Sequence, residues 1–134
     1  MSTTLSDYAE NKVIDHLCGT SAWVMPAAVS IALFTTNPNF ETGAGGVEAT
    51  GGGYVRKTAL FTAASGGAAT GPTIVAMWTV GTDISAGTYT GWAVYDALTG
   101  GNMLFGESFP TDRVLTGAGE IIIAPTNSMT VNIG

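Results

Sequence analysis

The sequence predicts an all-β fold: a two-sheet antiparallel β-sandwich of jelly-roll type carrying one N-terminal α-helix. Three observations carry this reading. Beyond Pro26 the apolar residues alternate with a period of two, as in Ile74, Ala76, Trp78 and Val80 set against Val75, Met77 and Thr79. Turn formers interrupt these runs roughly every 8 to 15 residues, the spacing of about seven or eight short strands in a sandwich or barrel. The stretch WAVYDALTGGNMLF, residues 92–105, places Thr99, Gly100, Gly101 and Asn102 between two apolar runs, which is the pattern of a β-hairpin.

The elements follow in chain order. Thr4 or Ser6 can cap a helix over about residues 5–18, with Asp7 in its first turn. Leu5, Ala9, Val13 and Leu17 recur every four residues as one apolar stripe, and Gly19 is placed to end the helix in a left-handed conformation. Glu10, Asn11, Lys12 and Asp15 form the solvated face. Residues 28–34 alternate Val29, Ile31 and Leu33 with Ser30, Ala32 and Phe34, so this strand is predicted to be covered on both sides before Asn37 and Pro38 end it.

The glycine-rich stretch 36–53 has Phe40 and Val47 as its only large apolar residues and reads as a long loop ordered by a neighbouring subunit, with Phe40 as anchor. A strand is expected over 54–62, a flexible connection over 62–71 and a strand over 74–80. In the C-terminal third, a strand over 102–109 should stop at Pro110. A short edge strand follows over 113–116, then strands over 120–124 and 128–133, the last turning Met129, Val131 and Ile133 inward. The chain is thus divided into a helical contact element, 1–20, and a single sandwich domain, 21–134.

Composition bounds the function. Charged residues make up 10% of the 134, against roughly 25% in an average protein, so much of the surface is expected to be covered by something else. A net charge of −6 opposes binding to a phosphate backbone, and nucleic acid is not an expected partner. The single cysteine, Cys18, excludes an internal disulfide and suits synthesis in a reducing compartment. Charges at Asp7, Glu10, Lys12 and Asp15 break up any secretory leader, and no apolar run reaches the roughly 20 residues of a membrane span. No membrane partner is expected.

Reactive constellations are scarce. His16 and Cys18 are two apart on a helix and face different ways, so no metal site and no other cofactor is expected. His16, the one histidine, reads as a helix C-terminal cation or packed surface residue rather than part of a triad. Asp96, Glu107 and Asp112 fall near the central strands, but Asp96 reads as a turn former, and the protein is expected not to be an enzyme. GAGGVEATGGG lacks the Gly-Lys-Ser/Thr ending of a phosphate loop. Trp23, Trp78 and Trp92 and the tyrosines read as core or interface aromatics. Arg56 and Lys57 point to opposite faces of a strand and suit ion pairs with a neighbouring chain's carboxylates.

The LSDYAENKVIDHL helix, ALFTTNP (32–38), GGGYVRK (51–57), WAVYDALTGGNMLF and the short terminal strand together resemble a family of small tailed-bacteriophage virion proteins, whose members often carry tail or tail-fibre labels. The resemblance also extends to jelly-roll cement proteins that decorate capsids. It implies a virion protein made in the host bacterial cytoplasm and placed on the capsid exterior. There it would bridge major capsid protein subunits as a homotrimer, with a homodimer as the alternative. Other readings are a tail, neck or fibre component, or a receptor- or carbohydrate-binding module. The candidate contact residues are Leu5, Tyr8, Lys12, Phe40, Val47, Tyr54, Arg56 and Lys57. On this reading, deleting residues 39–50 should preserve the β circular-dichroism signal and weaken assembly.

Overall fold

The computed structural model describes residues 2–3, 5–24 and 26–132. Within them the chain runs β1 (Ser2–Thr3), α1 (Asp7–Leu17), β2 (Val29–Thr36), β3 (Val47–Glu48), β4 (Lys57–Ala59) and β5 (Ala68–Gly71). It continues through β6 (Ala76–Thr79), β7 (Gly87–Tyr95), β8 (Met103–Leu115), β9 (Ile121–Ala124) and β10 (Met129–Asn132). The result is an all-β sandwich with one helix. Its main sheet is ordered β3-β2-β7-β8, and β4 shares the β3 edge of β2. Over one face of this sheet lie two smaller ladders, β1-β10-β5 and β6-β9. All pairings are antiparallel except β1 with β10, which is parallel.

The predicted two-sided burial of β2 is observed. Ile31 and Leu33 point into the main core with Trp78, Ile84, Trp92, Val94 and Ile122. Ala32 and Phe34 point the other way into a second cluster with Ala93 and Met103, closed by Phe40 and Tyr95. Phe40 therefore packs on its own sheet, and the 36–53 loop is ordered from within the chain. Asn39 Oδ1 accepts the backbone N–H groups of Glu41 and Thr42 at 2.9 and 3.1 Å, and the Asp7 N–H donates to Glu41 O at 2.7 Å. Small local turns thus replace the neighbour the composition suggested.

The helix begins two residues later than its apolar stripe. Leu5 forms an isolated bridge with Phe105, and Ser6 caps the helix by accepting from the Ala9 N–H while its hydroxyl donates to Met103 O at 2.6 Å. Thr4, the other capping candidate, lies outside the described residues. Gly19 follows with φ +71°, as a helix C-terminus requires. Only Ala9 is buried; Leu5, Tyr8 and Val13 are half-buried, and Leu17 is 77% exposed. On the polar face Glu10 and Asn11 are exposed, but Lys12 and Asp15 are half-buried.

Three predicted boundaries shift. The strand expected over 54–62 is confined to Lys57–Ala59, because Tyr54 and Arg56 use their side chains to tie the chain down before it joins β2. The connection expected over 62–71 ends in a strand, β5, held by β10. Pro110 does not end its strand: β8 continues to Leu115 and absorbs the segment expected as a separate edge strand. Gly91 pairs with Ser108 but Tyr89 with Arg113, so residues 109–112 bulge out of register and Pro110 needs no ladder partner. At the C-terminus Met129 is buried and Val131 half-buried, as expected, and Ile133 lies outside the described residues.

Gly106 shows how tightly the second cluster closes. A Cβ there would lie 2.7 Å from Phe40 Cδ1, 2.7 Å from Trp92 O and 2.8 Å from Ala93 Cβ. The backbone oxygen cannot move aside without breaking the β7–β8 ladder. Gly106→Ala is expected to cost ~1–3 kcal/mol by overpacking, measured by urea unfolding. Because residues 39–50 supply Phe40 and Glu48, deleting them should lower the melting temperature, which replaces the expectation of an unaffected fold.

Candidate contact surfaces

The densest polar cluster is built around Arg56, whose side chain is 7% exposed. Its Nε and Nη2 donate to the two oxygens of Glu48 at 2.8 and 2.9 Å, a bidentate fork. Its Nη1 donates to Ala97 O at 3.0 Å and Gly100 O at 2.7 Å, and its Cζ lies 3.8 Å from the centre of the Tyr95 ring. Tyr54 Oη donates to Glu48 Oε1 at 2.9 Å and accepts the Leu33 N–H at 3.0 Å. Ser30 Oγ donates to Ala97 O at 2.5 Å. One guanidinium thus ties β3 and the 96–102 hairpin loop to the approach to β4, and Tyr54 and Ser30 carry the link to β2.

Burial pushes the Glu48 carboxyl up, yet the hydrogen bonds from Arg56 and Tyr54 and the guanidinium charge outweigh it and leave the group below its ordinary value. The Arg56 guanidinium is raised by its bond to Glu48 against the opposing effect of burial. Burial first, and then the Glu48 charge, raises the Tyr54 hydroxyl well above its ordinary range, so it stays a donor.

The predicted contact residues fall in different places. Tyr54 and Arg56 meet around Glu48, and Lys57 points away to Asp83 at 3.5 Å. Both cations therefore pair within the chain, which corrects the expectation of a neighbouring chain's carboxylates. Opposite side-chain directions, as predicted, send them to different partners. Leu5 and Tyr8 are half-buried against the core, and Lys12 Nζ sits 5.7 Å over the Tyr8 ring. Phe40 covers its own sheet. Of the eight, Val47 presents an exposed large apolar side chain. Reasoning from residue types missed Glu48 and Tyr95. Glu48 was findable as the one carboxylate between Glu41 and Asp83.

Exposed large apolar side chains gather in three regions. Val55 and Leu98 line a depression of about 700 Å³ beside Arg56, together with Thr50, Tyr54 and Thr99, and Val47 is exposed next in sequence to its lining residue Glu48. Ile14, Leu17 and Val24 project from the end of α1 and the loop after it. Val75, Met77, Ile121 and Ile123 lie on and beside the β6–β9 ribbon.

Two of the titratable groups weighed for chemistry, His16 and Asp96, are committed to local hydrogen bonds. His16 Nδ1 accepts the Trp23 N–H at 3.1 Å. Asp96 closes the hairpin loop by accepting from Asn102 N and Nδ2 at 2.7 and 3.1 Å. Glu107, opposite Trp92 in the ladder, has a buried Oε2 with no hydrogen-bond partner, and burial raises its carboxyl. Among the described residues no group of three or more His, Cys, Asp or Glu could hold a metal ion, and no helix is long and apolar enough to cross a membrane.

Fold and surface together define an all-β sandwich protein with exposed large apolar side chains in several places. Comparison with protein families makes the class specific: the family model described as podophage GP4 fiber I protein gp80 matches residues 4–132, and the chain belongs to that family of phage structural proteins. No curated protein matches the sequence.

The Arg56 cluster generates two expectations. Arg56→Met strands the Glu48 carboxylate and should cost about 3 kcal/mol, with Arg56→Lys recovering only part because an ammonium lacks the fork. Glu48 has a folded pKa below its unfolded value of 4.5, so its contribution is present above pH 4.5 and is lost as pH falls through the depressed folded value. Thermal melts should show the wild type losing stability below about pH 4.5, and Glu48→Gln should be less stable at neutral pH with a flatter acid limb.

Proposed function

We propose that the protein is a non-enzymatic structural subunit of a phage fibre, held among neighbouring virion subunits by its exposed apolar surfaces. The observation that carries this is the fibre-family match over nearly the whole chain. The surface supports it: among the described residues thirteen large hydrophobic ones are exposed, on a chain with fourteen charged residues in all, which suits a subunit whose outside is largely covered.

The mechanism is mechanical. Each Å² of apolar surface buried contributes about 25 cal/mol, and contacts repeated by symmetry turn a modest affinity into a durable assembly. The Arg56 cluster serves this by holding the 96–102 loop in one conformation, so little ordering entropy is lost when a partner covers Leu98.

The second reading is a cement protein on the capsid exterior, bridging major capsid protein subunits. It draws on the same low charge and exposed apolar surface, but the family description favours the fibre. Copy number separates the two. Quantitative mass spectrometry of purified particles should find few copies, in small multiples such as about three or six per appendage. A count near that of the major capsid protein would overturn the fibre reading in favour of cement.

A further inference from the structure

The main sheet and the β6–β9 ribbon do not close on each other everywhere. A crevice of about 220 Å³ remains between them, lined by Trp92 of β7 on one side and by Ile122 and Ala124 of β9 on the other. Its floor is core, since Ile31, Leu33 and Trp78 also line it and are each at most 1% exposed. Protein interiors leave few spaces of this size. An apolar cavity of about 150 Å³ already takes a benzene-sized molecule.

One charge stands at the mouth. Arg113 pairs with Tyr89 across β7 and β8, and Tyr89 is a core residue, so the register turns the Arg113 side chain toward the inner face of the sheet. It is nonetheless exposed, which places the guanidinium where the crevice meets solvent. The bulge brings it there: the five steps of β8 from Ser108 to Arg113 lie against the two steps of β7 from Gly91 to Tyr89, and a bulge re-aims the side chains beside it. Phe109, which lines the same crevice, has its ring centre 5.9 Å from the Arg113 Cζ.

Neither ion pair found among the described residues uses Arg113, although the chain has ten carboxylates against four Lys and Arg. Glu107 and Asp112, its nearest carboxylates along the chain, do not line the crevice. Ser128, whose hydroxyl does, donates it to Pro125 O at 2.7 Å. An occupant therefore meets apolar walls and one uncommitted cation. The larger depression beside Arg56 differs, because that guanidinium already holds Glu48 and two carbonyls. Charge complementarity then selects the occupant: a cation is repelled at the mouth, and an anionic head on an apolar body satisfies both parts of the lining.

We propose that the crevice between the main sheet and the β6–β9 ribbon binds a small organic carboxylate with an apolar body, its head held by Arg113 and its body covered by Phe109, Trp92 and Ile122. The site goes beyond the fibre reading above and does not depend on it.

Octanoate is the probe, with octyltrimethylammonium and 1-octanol as controls of the same chain length. Titrated into the purified full chain, octanoate should shift the amide resonances of Phe109, Arg113, Ile123 and Ser128 and saturate with a Kd on the order of 1 mM, ordinary for a ligand of about ten non-hydrogen atoms. Octyltrimethylammonium should bind at least tenfold more weakly. Arg113→Gln, at an exposed position, should weaken octanoate about fivefold and leave 1-octanol unchanged. Ala124→Leu, which fills the crevice, should abolish binding of both, and should that variant not fold, Arg113→Gln still decides. Four results would each overturn the proposal: no shift at the crevice up to roughly 20 mM octanoate, shifts centred on Val55 and Leu98 instead, equal binding of octyltrimethylammonium, or an Arg113→Gln effect no larger for octanoate than for 1-octanol.

Discussion

A strand that is apolar on both faces has to be covered twice, and β2 sets this condition for the main sheet. The core on one side accounts for Ile31 and Leu33 in the usual way, by two further ladders laid over the sheet. The other side is less ordinary, because a small domain has little left to spend on a third layer. Here the cover is made from a loop. Phe40 reaches back over Ala32, Phe34 and Ala93, and Gly106 is a glycine because the ring lies where its Cβ would be. Once the loop is committed to that position, Glu48 arrives at the edge of β2 beside Arg56, and the ion cluster follows from the packing.

Much of the sandwich was legible. Period-two alternation in β2, β6 and β10 and the glycine-containing turn between β7 and β8 are local signals, and local signals survive in a single sequence. The errors arose where a distant partner decides the outcome. Residues 68–71, Ala-Ala-Thr-Gly, are small, with no strand signature of their own, and become β5 because β10 offers a ladder. Pro110 reads as a stop until the register with β7 shows that it falls in a bulge. The stripe on α1 was visible, but only the structure shows that Leu17 in its last turn stays 77% exposed.

The contact residues were harder to read for a related reason. Tyr54 and Arg56 stood out as large polar groups in a weakly charged chain, and their chemistry was ambiguous between an internal and an external carboxylate. Which one applies depends on where the 36–53 loop folds, and that is set by Phe40 and Gly106, up to fifty residues away in sequence from Arg56. Exposed apolar residues such as Met77 carry no mark distinguishing them from core residues. Only the register of β6 against β9 assigns them to the outside.

The manner in which Arg56 grips the hairpin loop has one more consequence. It bonds to the carbonyls of Ala97 and Gly100, main-chain atoms that every residue possesses, and leaves the side chains of Leu98 and Thr99 untouched. The loop's path is thereby separated from its chemistry. Mutation can rewrite what the tip displays at 98 and 99 while the underlying scaffold keeps its shape, so long as the loop keeps its length. A molecule arranged this way can change what it recognises in small steps, without first having to survive a change of fold.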